Sequence, residues 1–184
     1  MRVVGGSARG LRLRMVPGDS TRPVGDRVKE SLFNILGPDV EGSRFLDLFA
    51  GTGSVGIEAL SRGASWATMV DASPRAIGTI QSNLLHTRLQ ERGEVVQGDS
   101  FAYLARIPRE PFDFIYVAPP QYHGLWVRAL QAIDGNTGLL NPDGWVIAQI
   151  HPNEHEPVAL ARLSELQQRR YGSTLLCFYE LPGE

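Results

Sequence analysis

The chain of 184 residues contains one cysteine, one lysine and no long uninterrupted apolar run. A membrane-spanning helix needs about 20 consecutive apolar residues, so none is expected. A single Cys177 excludes an internal disulfide. Its place in Leu175-Leu176-Cys177-Phe178 reads as a small core side chain and not a nucleophile. The start MRVVGGSARG lacks the apolar centre of a signal segment, so a reducing, cytoplasmic setting without a membrane partner is expected. Zinc-binding spacings are missing too. His151, Glu154, His155 and Glu156 have the composition of a metal cluster, but Pro152 and Pro157 break the helix that would present both histidines, and no metal is expected. The hydrophobic share of 42% and charged share of 21% are those of an ordinary globular chain. The length suits one domain with a small appendage.

The net charge of −2 hides an asymmetry. Arg2, Arg9, Arg12, Arg14, Arg22, Arg27 and Lys29 outnumber Asp19, Asp26 and Glu30 in the first 30 residues, leaving +4 there and −6 in the remainder. A polyanion is therefore expected at the N-terminal region, with arginines supplying phosphate contacts. A solvated basic hairpin is the alternative.

The segment VVGGSARGLRLRMV alternates apolar and basic residues around glycines, which predicts a short hairpin with its arginines outward. Val28, Leu32, Ile35 and Leu36 keep helical spacing up to Gly37-Pro38. Strands are then predicted at 44–49, 66–71, 93–97 and 112–117, with helices starting at Ser73-Pro74 and Asp99-Ser100. A helix near 123–133, a strand from Trp145 to Ile150 and two β-like runs at 165–171 and 174–181 complete the pattern. This predicts an α/β fold: a doubly wound, mostly parallel, seven-stranded sheet closed by a terminal antiparallel hairpin. Residues 1–42 form an N-terminal hairpin and helix, and 43–184 the core.

Phe45 to Leu60 carries the strongest signal: a buried strand, the turn Gly51-Thr52-Gly53 and a helix start. A strand ending in glycines lets a ligand approach bare backbone. Asp71 follows Gly51 by about 20 residues and would accept ribose hydroxyl hydrogens, which specifies an adenosine-type ligand without naming it. The flanking charges discriminate further. A pyrophosphate would be repelled by Asp47 and Glu58, whereas S-adenosylmethionine carries an ammonium and a sulfonium, so the methyl donor is favoured. Candidate donor contacts are Asp47, Phe49, Gly51, Thr52, Gly53, Asp71, Ala72, Asp99 and Ser100. Asp99 also reads as a helix cap, and the glycines also read as packing residues.

At the fourth strand end, Ala118-Pro119-Pro120-Gln121-Tyr122 reads as a rigid shelf whose carbonyls would hold an exocyclic amine while Tyr122 stacks on the base. A proline turn between strand and helix is the alternative. His86 and His123 read as surface residues, with His123 beside Tyr122 within reach of RNA.

Three blocks then combine: Arg2-Val3-Val4-Gly5-Gly6 with Arg9-Gly10 and Leu13, Arg22-Pro23 with the run Asp26 to Leu36, and Leu46 to Gly53 continuing through Gly56, Glu58, Ala59, Leu60, Ser61 and Arg62. On these blocks the chain resembles the bacterial RsmD-like methyltransferases, which methylate a guanine exocyclic amine in small-subunit ribosomal RNA, and the resemblance extends over nearly its whole length. The resemblance implies a Rossmann-like class I fold, S-adenosylmethionine as cofactor and ribosomal RNA or the small ribosomal subunit as partner. It places the N-terminal blocks, with Arg9, Arg12, Arg22 and Arg27, on the RNA face. One residue departs from the family pattern, which has aspartate or asparagine where this chain has Ala118. Losing a preorganised acceptor costs on the order of 2–4 kcal/mol of barrier. Gln121 and the carbonyls of Ala118 and Pro119 are the expected replacement. An RNA-binding or assembly protein that keeps only a donor pocket is the alternative, followed by a nicotinamide oxidoreductase.

Overall fold

Alternating apolar strands and capped helices after Ser43 build one sheet with helices on both faces. The computed structural model describes residues 1–18 and 23–183. The strands are β1 (Arg44–Leu48), β2 (Trp66–Asp71), β3 (Gly93–Gln97), β4 (Phe112–Val117), β5 (Leu140–Ile150), β6 (Ser164–Tyr171) and β7 (Thr174–Glu180). The helices are α1 (Asp26–Leu36), α2 (Ser54–Ser61), α3 (Pro74–Thr87), α4 (Ser100–Leu104) and α5 (Leu125–Gly135). The seven strands run in the order β3-β2-β1-β4-β5-β7-β6. β1 to β5 are parallel, and β7 inserts antiparallel between β5 and β6.

Period-two alternation sends the side chains of β1 to opposite faces. Phe45 joins a core with Leu32, Phe33 and Leu36 of α1, Ile57 and Leu60 of α2, and Ile80 and Leu84 of α3. Leu46 and Leu48 join the opposite core with Leu104 of α4 and Trp126, Leu130 and Ile133 of α5. Both caps read from the sequence form: Ser73 Oγ accepts from Ala76 N–H at 3.3 Å and Asp99 Oδ1 from Ala102 N–H at 2.9 Å.

Two local expectations change. β5 begins at Leu140, ahead of the expected Trp145, because Leu140 pairs with Phe112 before the segment Asn141–Gly144 bulges out of register. Asn141 Nδ2 donates to Asp113 Oδ1 at 2.8 Å and pins that bulge to β4. The short N-terminal hairpin forms around an antiparallel bridge between Arg2 and Arg12, with Val3 N–H donating to the Leu11 carbonyl at 2.9 Å, Gly10 N–H to the Val3 carbonyl at 2.8 Å and Leu13 N–H to the Met1 carbonyl at 3.1 Å, but it does not stand apart from the core. Its tip is tied to the core instead of standing free: Ser7 N–H donates to the Ser61 carbonyl at 2.8 Å and Ala8 N–H to Ser61 Oγ at 2.9 Å. Gly6 permits this contact. Its φ is +79° and a Cβ there would lie 1.9 Å from the Ser61 carbonyl oxygen. Helix α2 is consequently buried along its entire length, between the sheet and this arm.

Candidate active site

Strand order reverses between β1 and β4, so their carboxyl ends border the crevice where open α/β sheets bind ligands. The turn after β1 is bent by Phe49 at φ +59° and Gly51 at φ +59°. Gly51 N–H donates to Asp71 Oδ2 at 2.8 Å, and Ser73 N–H donates to Asp71 Oδ1 at 2.9 Å. Each carboxylate oxygen keeps a second lone pair for a hydroxyl hydrogen. No atom lies within 4 Å of the place where a Gly51 side chain would start. Close approach of a ligand to the backbone requires such open space. Gly56 differs, since a Cβ there would sit 2.7 Å from Met69 Cγ. The packing reading therefore applies to Gly56 and not to Gly51.

Of the two carboxylates expected to discriminate between ligands by charge, Glu58 faces away from the site and Asp47 borders it. Glu58 is buried and turned toward the N-terminal arm, where it accepts from Val4 N–H at 2.8 Å, Gly5 N–H at 2.9 Å and Arg62 Nε at 2.8 Å. Lys29 Nζ lies 3.4 Å away, and neither side chain is exposed. Burial depresses the Lys29 pKa, while Glu58 opposes that shift. Asp47 is 2% exposed and accepts from Gly56 N–H at 3.0 Å. Burial pushes its carboxyl up to about 8, the Gly56 bond opposing and the Asp71 charge adding to the rise. The raised carboxyl weakens the repulsion of a pyrophosphate expected from a fully charged Asp47.

At the third strand end, Asp99 is exposed and caps α4 while Ser100 is buried. A residue missed in the sequence follows them. The Phe101 ring meets the Phe49 ring edge-on at 5.9 Å and carries the Arg128 guanidinium 4.1 Å above it. An aromatic directly after a capped strand end was the available signal. Ala72 is exposed, Thr52 and Gly53 are buried, and Thr52 Oγ1 approaches Met1 Sδ at 3.6 Å. Asn83 of α3 donates to the carbonyls of Thr52 at 2.9 Å and Arg14 at 3.1 Å, linking the glycine turn to the arm.

Beside the glycine turn, Leu48 pairs with Val117, so Ala118 leaves β4 next to Phe49. Ala118 is half-buried and Pro119 buried, whereas Pro120, Gln121 and Tyr122 are exposed. Tyr122 is 62% exposed and has φ +66°. Its N–H donates to Glu154 Oε1 at 2.7 Å, and its ring lies 5.7 Å from the His151 ring. Thus Glu154 and His151, singled out by composition as metal-like, reach the shelf instead. His155 points elsewhere, with Nε2 3.3 Å from Glu165 Oε1. Ligand atoms of His155, Glu165 and Cys177 lie within 4.8 Å of one another. Burial, with the Glu165 charge adding, pushes the Cys177 thiol up to about 12, which makes it unreactive as a free nucleophile at neutral pH.

Arg9, Arg12 and Arg27 are exposed on the arm and α1, while Arg22 lies outside the described residues. Lys29 does not belong to this basic surface. Its Nζ donates to the Arg2 carbonyl at 2.6 Å and Ser54 Oγ at 2.9 Å inside the protein. Among the described residues no helix is long and apolar enough to cross a membrane.

A family described as conserved hypothetical protein 95 matches residues 1–180. YlbH of Bacillus subtilis (strain 168) is 40% identical over 186 residues, covering 100% of both chains. Ribosomal RNA small subunit methyltransferase D of Escherichia coli (strain K12) is 34% identical over 146 residues, which are 79% of this chain and 69% of that one. The solved structure of Escherichia coli yhhF aligns with a TM-score of 0.87 at 30% identity, covering 98% of this chain and 97% of the other.

Proposed function

Because the chain belongs to the RsmD family, described as conserved hypothetical protein 95, we propose that it methylates the exocyclic N2 amine of a guanine in small-subunit ribosomal RNA during ribosome assembly. Its sheet is the Rossmann-like sheet of class I methyltransferases. The observation that carries the reading is the adjacency of two strand ends: the glycine turn with Asp71 after β1, and the Ala118–Tyr122 shelf after β4.

S-adenosylmethionine, when bound, supplies an electrophilic methyl group on a sulfonium leaving group. The residues present fit such a donor. Gly51 opens space over its backbone, Asp71 offers lone pairs to ribose hydroxyls, Asp47 offers a buried carboxyl to an ammonium, and Phe49 and Phe101 offer apolar ring surface to an adenine. Asp99 and the Ser100 backbone would meet the adenine amino group and a ring nitrogen. On the acceptor side the carbonyls of Ala118 and Pro119 take hydrogens from the target amine, Gln121 supplies the side-chain acceptor that Ala118 lacks, and Tyr122 stacks on the base. Holding the amine this way aligns its lone pair with the electrophilic carbon, and orientation is the main contribution a protein makes to a direct displacement. Arg9, Arg12, Arg22 and Arg27 contact phosphates of the RNA, in the cytoplasm. No metal takes part.

The methyl side chain of Ala118 favours a second reading, an RNA-binding assembly factor that binds the donor without transferring its methyl group. Nucleoside mass spectrometry separates the two. Purified protein and donor are incubated with small ribosomal subunits from cells lacking the gene, alongside an active homologous enzyme. N2-methylguanosine is the expected product. Donor binding with no methylated nucleoside, while the control enzyme works, would select the second reading.

A further inference from the structure

The turn that follows β5 is built around the shelf. Its 3-10 segment Pro152–Glu154 is closed by His151, whose Nδ1 accepts from Asn153 N–H at 3.1 Å, and by Glu154, whose Oε2 accepts from His151 N–H at 3.0 Å. A local turn needs no more than these two bonds. Glu154 nevertheless makes a third with its other oxygen, to the N–H of Tyr122, 32 residues earlier. Tyr122 is a non-glycine residue at φ +66°, a conformation in which Cβ crowds the following carbonyl. Gly124, two positions later, is at φ +65° and caps α5 without a side-chain bond. Among the described residues, Glu154 is the one side chain bonded to the backbone of Ala118–Gly124. The Tyr122 ring is meanwhile in contact distance of the His151 ring, whose orientation the Asn153 bond fixes.

We propose that Glu154 is a positioning residue for base recognition: its carboxylate bridges the ends of β4 and β5, holds the Tyr122 backbone in its left-handed conformation and so seats the Tyr122 ring against His151, ready to receive a base. This deepens the transferase reading and rests on it. The carboxylate suits the task because it has only acceptors and two diverging oxygens, one for each N–H. An amide in its place satisfies one N–H and turns a donor toward the other.

The test uses the full chain labelled with fluorotyrosine, whose five tyrosines give few enough resonances to assign Tyr122 by Tyr122→Phe. Glu154→Ala is expected to shift or broaden the Tyr122 fluorine resonance alone. It should lower kcat/KM for small ribosomal subunits by about tenfold or more, the scale expected when a reacting group is misplaced. Donor affinity should stay within about twofold, since the clamp lies on the acceptor side. Glu154→Gln should fall between, and it serves if the alanine variant does not fold. In a Tyr122→Ala background Glu154→Ala should cost nothing further, because both act on one ring. An unchanged rate in Glu154→Ala, or an equal loss with and without the Tyr122 ring, overturns the proposal. If the unaltered protein methylates nothing, the transferase reading fails by itself. The fluorine spectrum then decides the clamp, and an undisturbed Tyr122 resonance overturns it.

Discussion

The Gly51 amide donates to Asp71 Oδ2 at 2.8 Å, so the residue expected to bind the ribose also shapes the turn expected to approach the donor. A second amide, from Ser73, occupies the other oxygen at 2.9 Å. The carboxylate thus ties the end of β1 to the start of α3 and keeps its outer lone pairs free for hydroxyls. Turn geometry and ligand contact are coupled through one side chain.

Asp71→Ala should raise the donor dissociation constant at least tenfold, since hydrogen bonds to a charged group contribute about 1.5–3 kcal/mol each. Calorimetric titration with the demethylated donor checks this. An unchanged affinity would remove Asp71 from the donor site, and retained helicity would show that the fold was not the cause.

Asp47 gives a pH signature. Its carboxyl is raised from 3.8 to about 8, so between those values the folded protein holds a proton that the unfolded chain has released. The contribution of this proton to stability is complete below about pH 4 and is lost as pH rises through about 8. Asp47→Asn keeps an acceptor for Gly56 N–H and cannot ionise. Urea denaturation should therefore show the variant gaining on the unaltered protein as pH rises from 5 to 8, by up to about 1.4 kcal/mol for each step of one in pH. Parallel stability curves would contradict the raised carboxyl. A cationic donor next to Asp47 favours its ionised form, so donor binding near pH 7 should release a proton, readable by calorimetry in two buffers.

Lys29→Met should destabilise the protein by up to about 3–5 kcal/mol, the cost of removing one partner from a buried ion pair. Glu58 would keep Arg62 and two backbone amides but lose the buried ammonium. Adding Glu58→Gln should restore part of the loss, because it removes the fully buried carboxylate and leaves charged only Arg62, which reaches solvent. Denaturation midpoints of the three proteins check this, and a neutral Lys29→Met would show that Arg62 suffices.

Gln121→Ala tests what replaces the acceptor that Ala118 lacks. With Ala118 unable to accept a hydrogen, loss of the Gln121 amide should lower turnover on saturating subunits by about 10- to 100-fold. Tyr122→Ala should lower turnover and leave donor binding intact, a stacked ring contributing about 1–3 kcal/mol per base. Full activity in Gln121→Ala would mean that backbone carbonyls alone hold the amine.

The strands, the caps at Ser73 and Asp99, the glycine turn and the terminal hairpin were legible because each depends on short-range pattern. Strands need alternation, caps need one side chain and three neighbours, and turns need glycine. The β5 start was not, since Asn-Pro-Asp-Gly looks like a loop until Leu140 finds Phe112 across it. The docking of the hairpin tip was not either, because its donors are satisfied by Ser61, more than 50 residues away in the chain.

By itself the sequence determined the fold class and the strand ends at which a ligand and a shelf would stand, since those follow from local periodicity and turn chemistry. Only the tertiary structure decided what each charge does. Glu58 and Lys29 became a sealed pair under the arm, Asp47 became a buried carboxyl that holds its proton more tightly, and Glu154 left its histidine-rich run to accept from Tyr122 N–H. Charge state and hydrogen-bond partner depend on burial and on residues distant in sequence, and both exist only once the sheet has brought its strand ends together.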